Sequence, residues 1–448
     1  MKFFDKTPTI ENVLDSFQNN TTGRDEDVLA FLSLLNSIDS SSSIAIDGQW
    51  GAGKTFFIKQ VKMILDAYNP HTKTYDEEFI ENVKMTVMAF SKLELQPFVT
   101  VYYDAWANDN DDDPILSLVY SVLKSCDADL AFVENHEILN IVSNIAEAVS
   151  GKPIGNILSA LKGKDLLESI REKKSVEALV YEFLESLLPE RGNRLIIFVD
   201  ELDRCNPNYA VKFLERIKHY FLDDRITFVF SVNLAELQHT IKHHYGEGFN
   251  AFRYLDRFFD FRVDLPPASM DFYYKSLGLD HKGLYFGKVC SAVAKHYNFS
   301  LREISRFYRA VKTSVYAPVQ HGSNYFSDGI EDLLLYYMIP IIIGLKYHSH
   351  TKYVAFLRGE DISPLIEFHK NNNHLGDRIY RKIVPINFEE ARKTTFEEFL
   401  KGLYHALFCY SFSDNRSIDV YGFTIYEEES KRFVKIINAF SEYADYEI

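Results

Sequence analysis

Residues 44–55 read I-A-I-D-G-Q-W-G-A-G-K-T, an apolar run entering Gly-x4-Gly-Lys-Thr. This pattern confines the chain to folds that hold a phosphate where a strand meets a helix. Gly48, Gly51 and Gly53 let the backbone curl so that successive N–H groups converge on an anion. The N-terminus of the following helix adds its dipole at the same spot. Lys54 is placed for the β- and γ-phosphates and the Thr55 hydroxyl for Mg²⁺, with Gln49, Trp50, Ala52 and Phe56 completing the loop. The run at 44–46 reads as a strand, and Phe56, Phe57, Ile58, Val61, Ile64 and Leu65 recur at helical spacing. A glycine-rich turn that merely precedes a lysine would lack both flanks.

A second half-site follows at 194–204, R-L-I-I-F-V-D-E-L-D-R. Unbroken apolar residues from Leu195 to Val199 suit a strand buried on both faces of a parallel sheet. Open α/β sheets bind ligands at the carboxyl ends of their strands. Asp200 is thereby placed to hold Mg²⁺, and Glu201 to orient or deprotonate an attacking water. Asp203 and Arg204 divide between a local ion pair and a role at a neighbouring subunit's nucleotide. Residues 226–233, I-T-F-V-F-S-V-N, give another buried strand ending at Asn233, which reads either as a sensor beside the γ-phosphate or as a strand cap. Residues 99–105 make a further strand, residues 260–265 the last, and Pro266-Pro267 the exit from the nucleotide domain.

Elsewhere the pattern is mostly helical. Residues 67–98 read as irregular with a short strand at 85–89, and the acidic run at 108–114 as a solvated loop. Residues 115–190 read as helices, looser at 149–164. The tail from about 395 carries helical patterns at 396–408 and 428–443. The apolar run at 333–345 is interrupted by Pro340 and is too short to span a bilayer, so it reads as a core helix. The opening residues are charged and mixed, unlike a secretory signal. Cys126, Cys205, Cys290 and Cys409 form no CxxC pattern, which points to a reducing cytoplasm without structural zinc or disulfides. A net charge of −15 argues against a broad nucleic-acid surface, leaving only a local basic groove for such a partner.

Several segments together resemble the KAP P-loop NTPases, a family with bacterial phage-exclusion members. They are the Trp-bearing phosphate loop, Tyr103-Asp104-Ala105-Trp106, Asp200-Glu201-Leu202-Asp203-Arg204-Cys205, the run 254–259 with Leu265-Pro266-Pro267, and 301–307 (L-R-E-I-S-R-F). Asp104 replaces the family's usual Asn, and Ser300-Leu301 its Asn-Pro. Many members insert transmembrane hairpins between the two motifs, but this interval reads as amphipathic helices, so membrane attachment does not transfer.

The resemblance covers roughly residues 10–315 and implies an α/β P-loop fold of the ASCE type. Its core would be a five-stranded parallel sheet in order 5-1-4-3-2, with a strand between the two motif strands. The implied organisation is a core over 1–267, a helical lid over 268–320 and a mostly helical region over 321–448. Arg257 is a candidate arginine finger or sensor and Arg302 or Arg306 a lid sensor, each weighed against a surface ion pair. The expected activity is ATP hydrolysis with Mg²⁺ by an oligomeric switch or motor in anti-phage defence, as a homo-oligomer or multi-protein complex. ATP is preferred because no Asn-Lys-x-Asp guanine reader is present. The alternatives are a nucleotide-gated scaffold that recruits an effector protein and phosphoryl transfer to an acceptor hydroxyl.

Overall fold

The computed structural model describes residues 7–72, 74–90, 94–111, 113–126, 141, 144–145, 176–221, 223–278, 285–320, 330–384, 393–412 and 416–443. They fall into two compact units, Thr7–Ser269 and a second beginning at Met270. In the first, the elements run α1 (Ile10–Gln18), α2 (Asp25–Ser37), β1 (Ser42–Asp47), α3 (Lys54–Tyr68), α4 (Glu77–Phe90), β2 (Phe98–Asp104) and α5 (Pro114–Cys126). They continue with α6 (Val176–Leu187), β3 (Arg194–Asp200), α7 (Pro207–Tyr220), β4 (Ile226–Val232), α8 (Leu234–Tyr245), α9 (Ala251–Leu255) and β5 (Phe261–Asp264).

All five strands pair in parallel in the order β2-β3-β4-β1-β5, the predicted 5-1-4-3-2 read from the other edge. β3 and β4 are buried along their whole lengths, as strands covered by helices on both faces must be. The pleat sorts their side chains. Leu195, Ile197 and Val199 enter the core with Phe213, Leu184 and Val119, while Ile196 and Phe198 enter the other with Ile58, Ile64 and Leu32. Register then matters for function. Asp104 lies opposite Asp200, Asp200 opposite Ser231, and Asp47 opposite Val232. Four strands therefore deliver polar ends to one edge.

Residues 85–89 are not a strand. They lie in α4, where Val83 and Val87, four apart, are buried while Met85 and Met88 face out. The apolar alternation there is incidental; the governing period, carried by Phe79, Ile80, Val83 and Val87, is helical. The Asp76 carboxylate accepts from the Phe79 N–H at 2.8 Å and starts the helix. The acidic run is not solvated throughout either. Asp113 is buried, caps α5 through the Ile115 N–H, and pairs with Arg216 at 2.6 Å and Lys212 at 3.3 Å. The looser stretch read at 149–164 lies outside the described residues.

In the second unit, residues 285–299 pack on residues 336–375. Phe286 meets Tyr336 at 5.7 Å, Phe299 meets Tyr347 at 6.4 Å, and the Tyr285 hydroxyl donates to the Leu375 carbonyl at 2.8 Å. The apolar run at 333–345 is buried, and passes through a π turn at Leu334–Met338 into the helix Ile339–His348. The wide turn comes just before Pro340, whose missing N–H could not serve a regular α-turn. A hairpin, Ser417–Val420 with Phe423–Tyr426, went unread between the two tail helices, Phe396–Tyr404 and Glu427–Tyr443. Its turn places Tyr421 and Gly422 both at positive φ. Among the described residues no helix is long and apolar enough to cross a membrane.

One buried amide ties the sheet to α3. Asn69 donates from Nδ2 to the carbonyls of Phe98 and Arg191, both at 2.8 Å, and accepts from the His71 N–H at 2.9 Å. Asn69→Leu keeps the volume but orphans those groups. We expect it to lower unfolding free energy by about 2 kcal/mol or more in urea denaturation. A loss under ~0.5 kcal/mol, typical of an unconstrained surface position, would contradict that role.

Candidate nucleotide-binding site

β1 ends at Asp47 and the chain turns through Gly48–Gly53 into α3. Gly51 at φ 77° and Gly53 at φ 94° occupy the left-handed region, where a side chain is strained. Gly53 caps α3 without offering it a side-chain acceptor, so the first N–H groups of the helix keep their capacity for an anion. Gln49 accepts through its carbonyl from the Ala52 N–H at 3.2 Å, which closes the loop, and Phe56 packs partly buried on the α1–α4 core. Lys54 is buried, and its ammonium donates to the carbonyls of Gly48 at 2.5 Å and Gln49 at 3.2 Å. Burial lowers the Lys54 pKa, opposed by the charges of Asp203, Asp200 and Asp47.

Asp200 stands across the loop, only 2% exposed. One carboxylate oxygen accepts from the Thr55 hydroxyl at 2.7 Å and the Tyr102 hydroxyl at 2.9 Å. The other accepts from the Ser231 hydroxyl at 2.6 Å and the Glu201 N–H at 3.1 Å. A carboxylate this buried is tolerable only because donors surround it. Burial and the neighbouring Asp200 push the Tyr102 phenol well above its ordinary pKa, so it remains a donor. Thr55 and Asp200 together present the hard oxygen ligands that Mg²⁺ takes when a phosphate supplies others. These residues fit a metal–nucleotide pair.

Glu201 follows in a left-handed backbone, φ 61° and ψ 24°, a cost of about 1–3 kcal/mol for a residue with a side chain. Its carboxylate pairs with Arg204 at 3.2 Å. The local ion pair is thus Glu201–Arg204, whereas Asp203 accepts from the Trp50 indole N–H at 2.6 Å. Burial raises the Asp203 pKa, with the Trp50 bond and the Lys54 charge working against it. Asn233 caps α8, its Oδ1 accepting from the Ala235 and Glu236 N–H groups at 3.2 and 3.3 Å. The side chain is engaged at the helix start, two residues beyond the Ser231 that holds Asp200.

The candidate arginines lie on other elements. Arg257 is exposed in the turn before β5, three residues ahead of Asp260, whose N–H donates to the Ser43 carbonyl at the start of β1. That end of β1 is the one opposite the phosphate loop. Arg302 is exposed on the helix Leu301–Gln320 of the second unit, and Arg306 lies 5.9 Å from the Tyr347 ring centroid on that unit.

A search against family models matches residues 28–316 to the KAP family P-loop domain. The chain belongs to the KAP family. No curated protein matches it. Among solved structures, the ORC2 protein of Aeropyrum pernix, in ADPNP–ADP complexes, is similar over 94% of this chain and 93% of that one. Identity is 12% and the TM-score 0.32, a likeness too distant to bear on chemistry.

Sequence reading passed over three residues of this KAP site: Tyr102 and Ser231, which hold Asp200, and Arg24. Arg24 is buried and donates to the Ala52 carbonyl at 2.9 Å, underpinning the phosphate loop. Burial lowers its pKa to about 10. Beside it Asp25 is buried with Oδ2 unpartnered, and desolvation pushes its pKa from 3.8 up to about 7. A carboxyl whose folded pKa exceeds its unfolded value binds more protons when folded, so stability falls as pH rises across that interval. We expect the urea midpoint to fall between about pH 4 and pH 7, and the fall to shrink in Asp25→Asn. Identical pH profiles for the two proteins would contradict the assignment.

Proposed function

We propose that this KAP-family protein binds ATP with Mg²⁺ and hydrolyses it, acting as an oligomeric switch or motor. The observation that carries this reading is the Thr55–Asp200 contact, which sets the metal-type oxygen ligands beside Lys54 and the uncapped start of α3. Glu201 is the next residue, at the same strand end. Mg²⁺, when bound, would neutralise charge on the phosphates. Lys54 would add a fixed cation, the N–H groups of the loop would orient the γ-phosphate, and Glu201 would orient the attacking water and accept its proton. Asn233 would serve mainly by starting α8 beside the site.

The exposure of Arg257 supports the reading of a homo-oligomer. Exposed in the turn before β5, it would stabilise transferring phosphate in a neighbouring subunit. Arg302 would serve as a lid sensor. The resemblance to phage-exclusion proteins supports a role in bacterial anti-phage defence, in the cytoplasm and with an effector protein as partner.

Phosphate release tests the reading. Lys54→Ala should lose nucleotide binding, whereas Glu201→Gln should keep binding and lose turnover by about 100-fold or more. Normal hydrolysis by Glu201→Gln would remove it as the base. Arg257→Ala should abolish the rise in specific activity with protein concentration that an oligomeric site requires. An unchanged concentration profile would rule out action in trans.

A further inference from the structure

The chain contains two tryptophans, Trp50 and Trp106, and both stand beside the candidate site. They are 47% and 51% exposed, an uncommon placement for the largest apolar side chain. Between them lies Arg204. Its guanidinium carbon is 5.9 Å from the Trp50 ring centroid and 5.5 Å from that of Trp106, within cation–π range of both. The same guanidinium meets Glu201 Oε1 at 3.2 Å. Trp50 is fixed in turn by its indole bond to Asp203. One cation thus touches a residue of the phosphate loop, a residue just past the end of β2 and the carboxylate at the end of β3.

A surface ion pair between residues three apart stabilises little, and the arrangement exceeds what an isolated pair needs. Arg suits this position because its flat, delocalised cation can stack and donate together, which a lysine ammonium cannot. Glu201 sits on a strained backbone with a side chain that has several rotamers, so its carboxylate needs an external constraint to keep one orientation.

We propose that Arg204, held between the Trp50 and Trp106 rings, is a positioning residue that orients the Glu201 carboxylate and ties it to the phosphate loop. The inference rests on the reading of Glu201 as the group that handles the attacking water. In this role Arg204 acts through Glu201. Because Trp50 belongs to the loop, a ligand that shifts the loop also shifts the partner that holds the carboxylate. The indoles report on this contact directly, since no other tryptophan contributes to the emission.

The test compares wild type, Arg204→Ala, Arg204→Lys, Trp106→Ala, Glu201→Gln and the Glu201→Gln/Arg204→Ala double variant in the full chain. The readouts are steady-state ATP hydrolysis, binding of a fluorescent ATP analogue and tryptophan emission. Arg204→Ala is expected to lower kcat about 10-fold or more, with KM and analogue affinity changed less than about 2-fold. Arg204→Lys should recover only a minor share of the loss. Trp106→Ala, at a half-exposed position, should lower kcat about 3-fold by loosening the stack. In the Glu201→Gln background, adding Arg204→Ala should cost less than about 2-fold more, because the group being positioned is already gone. Emission should change on analogue binding in wild type and lose most of that response in Arg204→Ala.

Full activity in Arg204→Ala, or an equal loss with and without Glu201, would overturn the inference. So would complete rescue by lysine, which would leave charge alone as the cause. Normal turnover by Glu201→Gln would instead overturn the reading of Glu201 itself, a result seen in a separate arm.

Discussion

The architecture of the site depends on one buried charge. Asp200 is enclosed at the carboxyl end of β3, and its oxygens accept from Thr55 on α3, Tyr102 on β2, Ser231 on β4 and its neighbour's N–H. Each donor comes from a different element, so the carboxylate is satisfied only when the strands are in register and α3 is seated against them. An unpaired carboxylate at that depth would cost several kcal/mol, far more than any one of these bonds contributes. Register, loop placement and the charge of Asp200 thus stand or fall together. A slip of one residue between β3 and β4 would turn Ser231 to the other face.

The parallel sheet explains why the polar groups gather. β3 and β4 carry no exposed side chain along their length; Arg194 and Thr227 bond to each other near their starts, and Asp200 and Ser231 bond near their carboxyl ends. The neighbouring strands contribute Asp47 and Asp104 at the same edge. Against these acids stand Lys54, lowered in pKa by burial, and Lys59, likewise lowered by burial and lying 4.5 Å from the Tyr102 ring centroid. Acids and cations so placed suit an anionic ligand accompanied by a metal ion, where neither sign is left uncompensated.

Much of this was legible from residues 44–55 and 194–204, because each motif combines a long apolar run with a short polar signature whose chemistry is local. The strand order was also readable, though through family resemblance and not through periodicity. What escaped depended on tertiary register. Tyr102 and Ser231 look like ordinary strand residues, and only the pairing of β2, β3 and β4 points them at Asp200. Arg24 lies in a polar stretch whose burial no local pattern announces. The partner of Arg204 in a local ion pair is set by tertiary geometry too. Sequence adjacency offers Asp203 as one alternative, but in the structure Asp203 accepts from Trp50 and Glu201, at its left-handed turn, pairs with the guanidinium. In α4 a period-two alternation of Val and Met masked the helical period that burial obeys.

The central claim is that a metal-bound triphosphate lies between the phosphate loop and Asp200. Calorimetric titration with a non-hydrolysable ATP analogue, with and without Mg²⁺, addresses it most directly in wild type and Asp200→Asn. Tighter binding with Mg²⁺ in the wild type, and equal binding with and without it in Asp200→Asn, is the result this account predicts. Mg²⁺ tightening the analogue by the same factor in both proteins would contradict it.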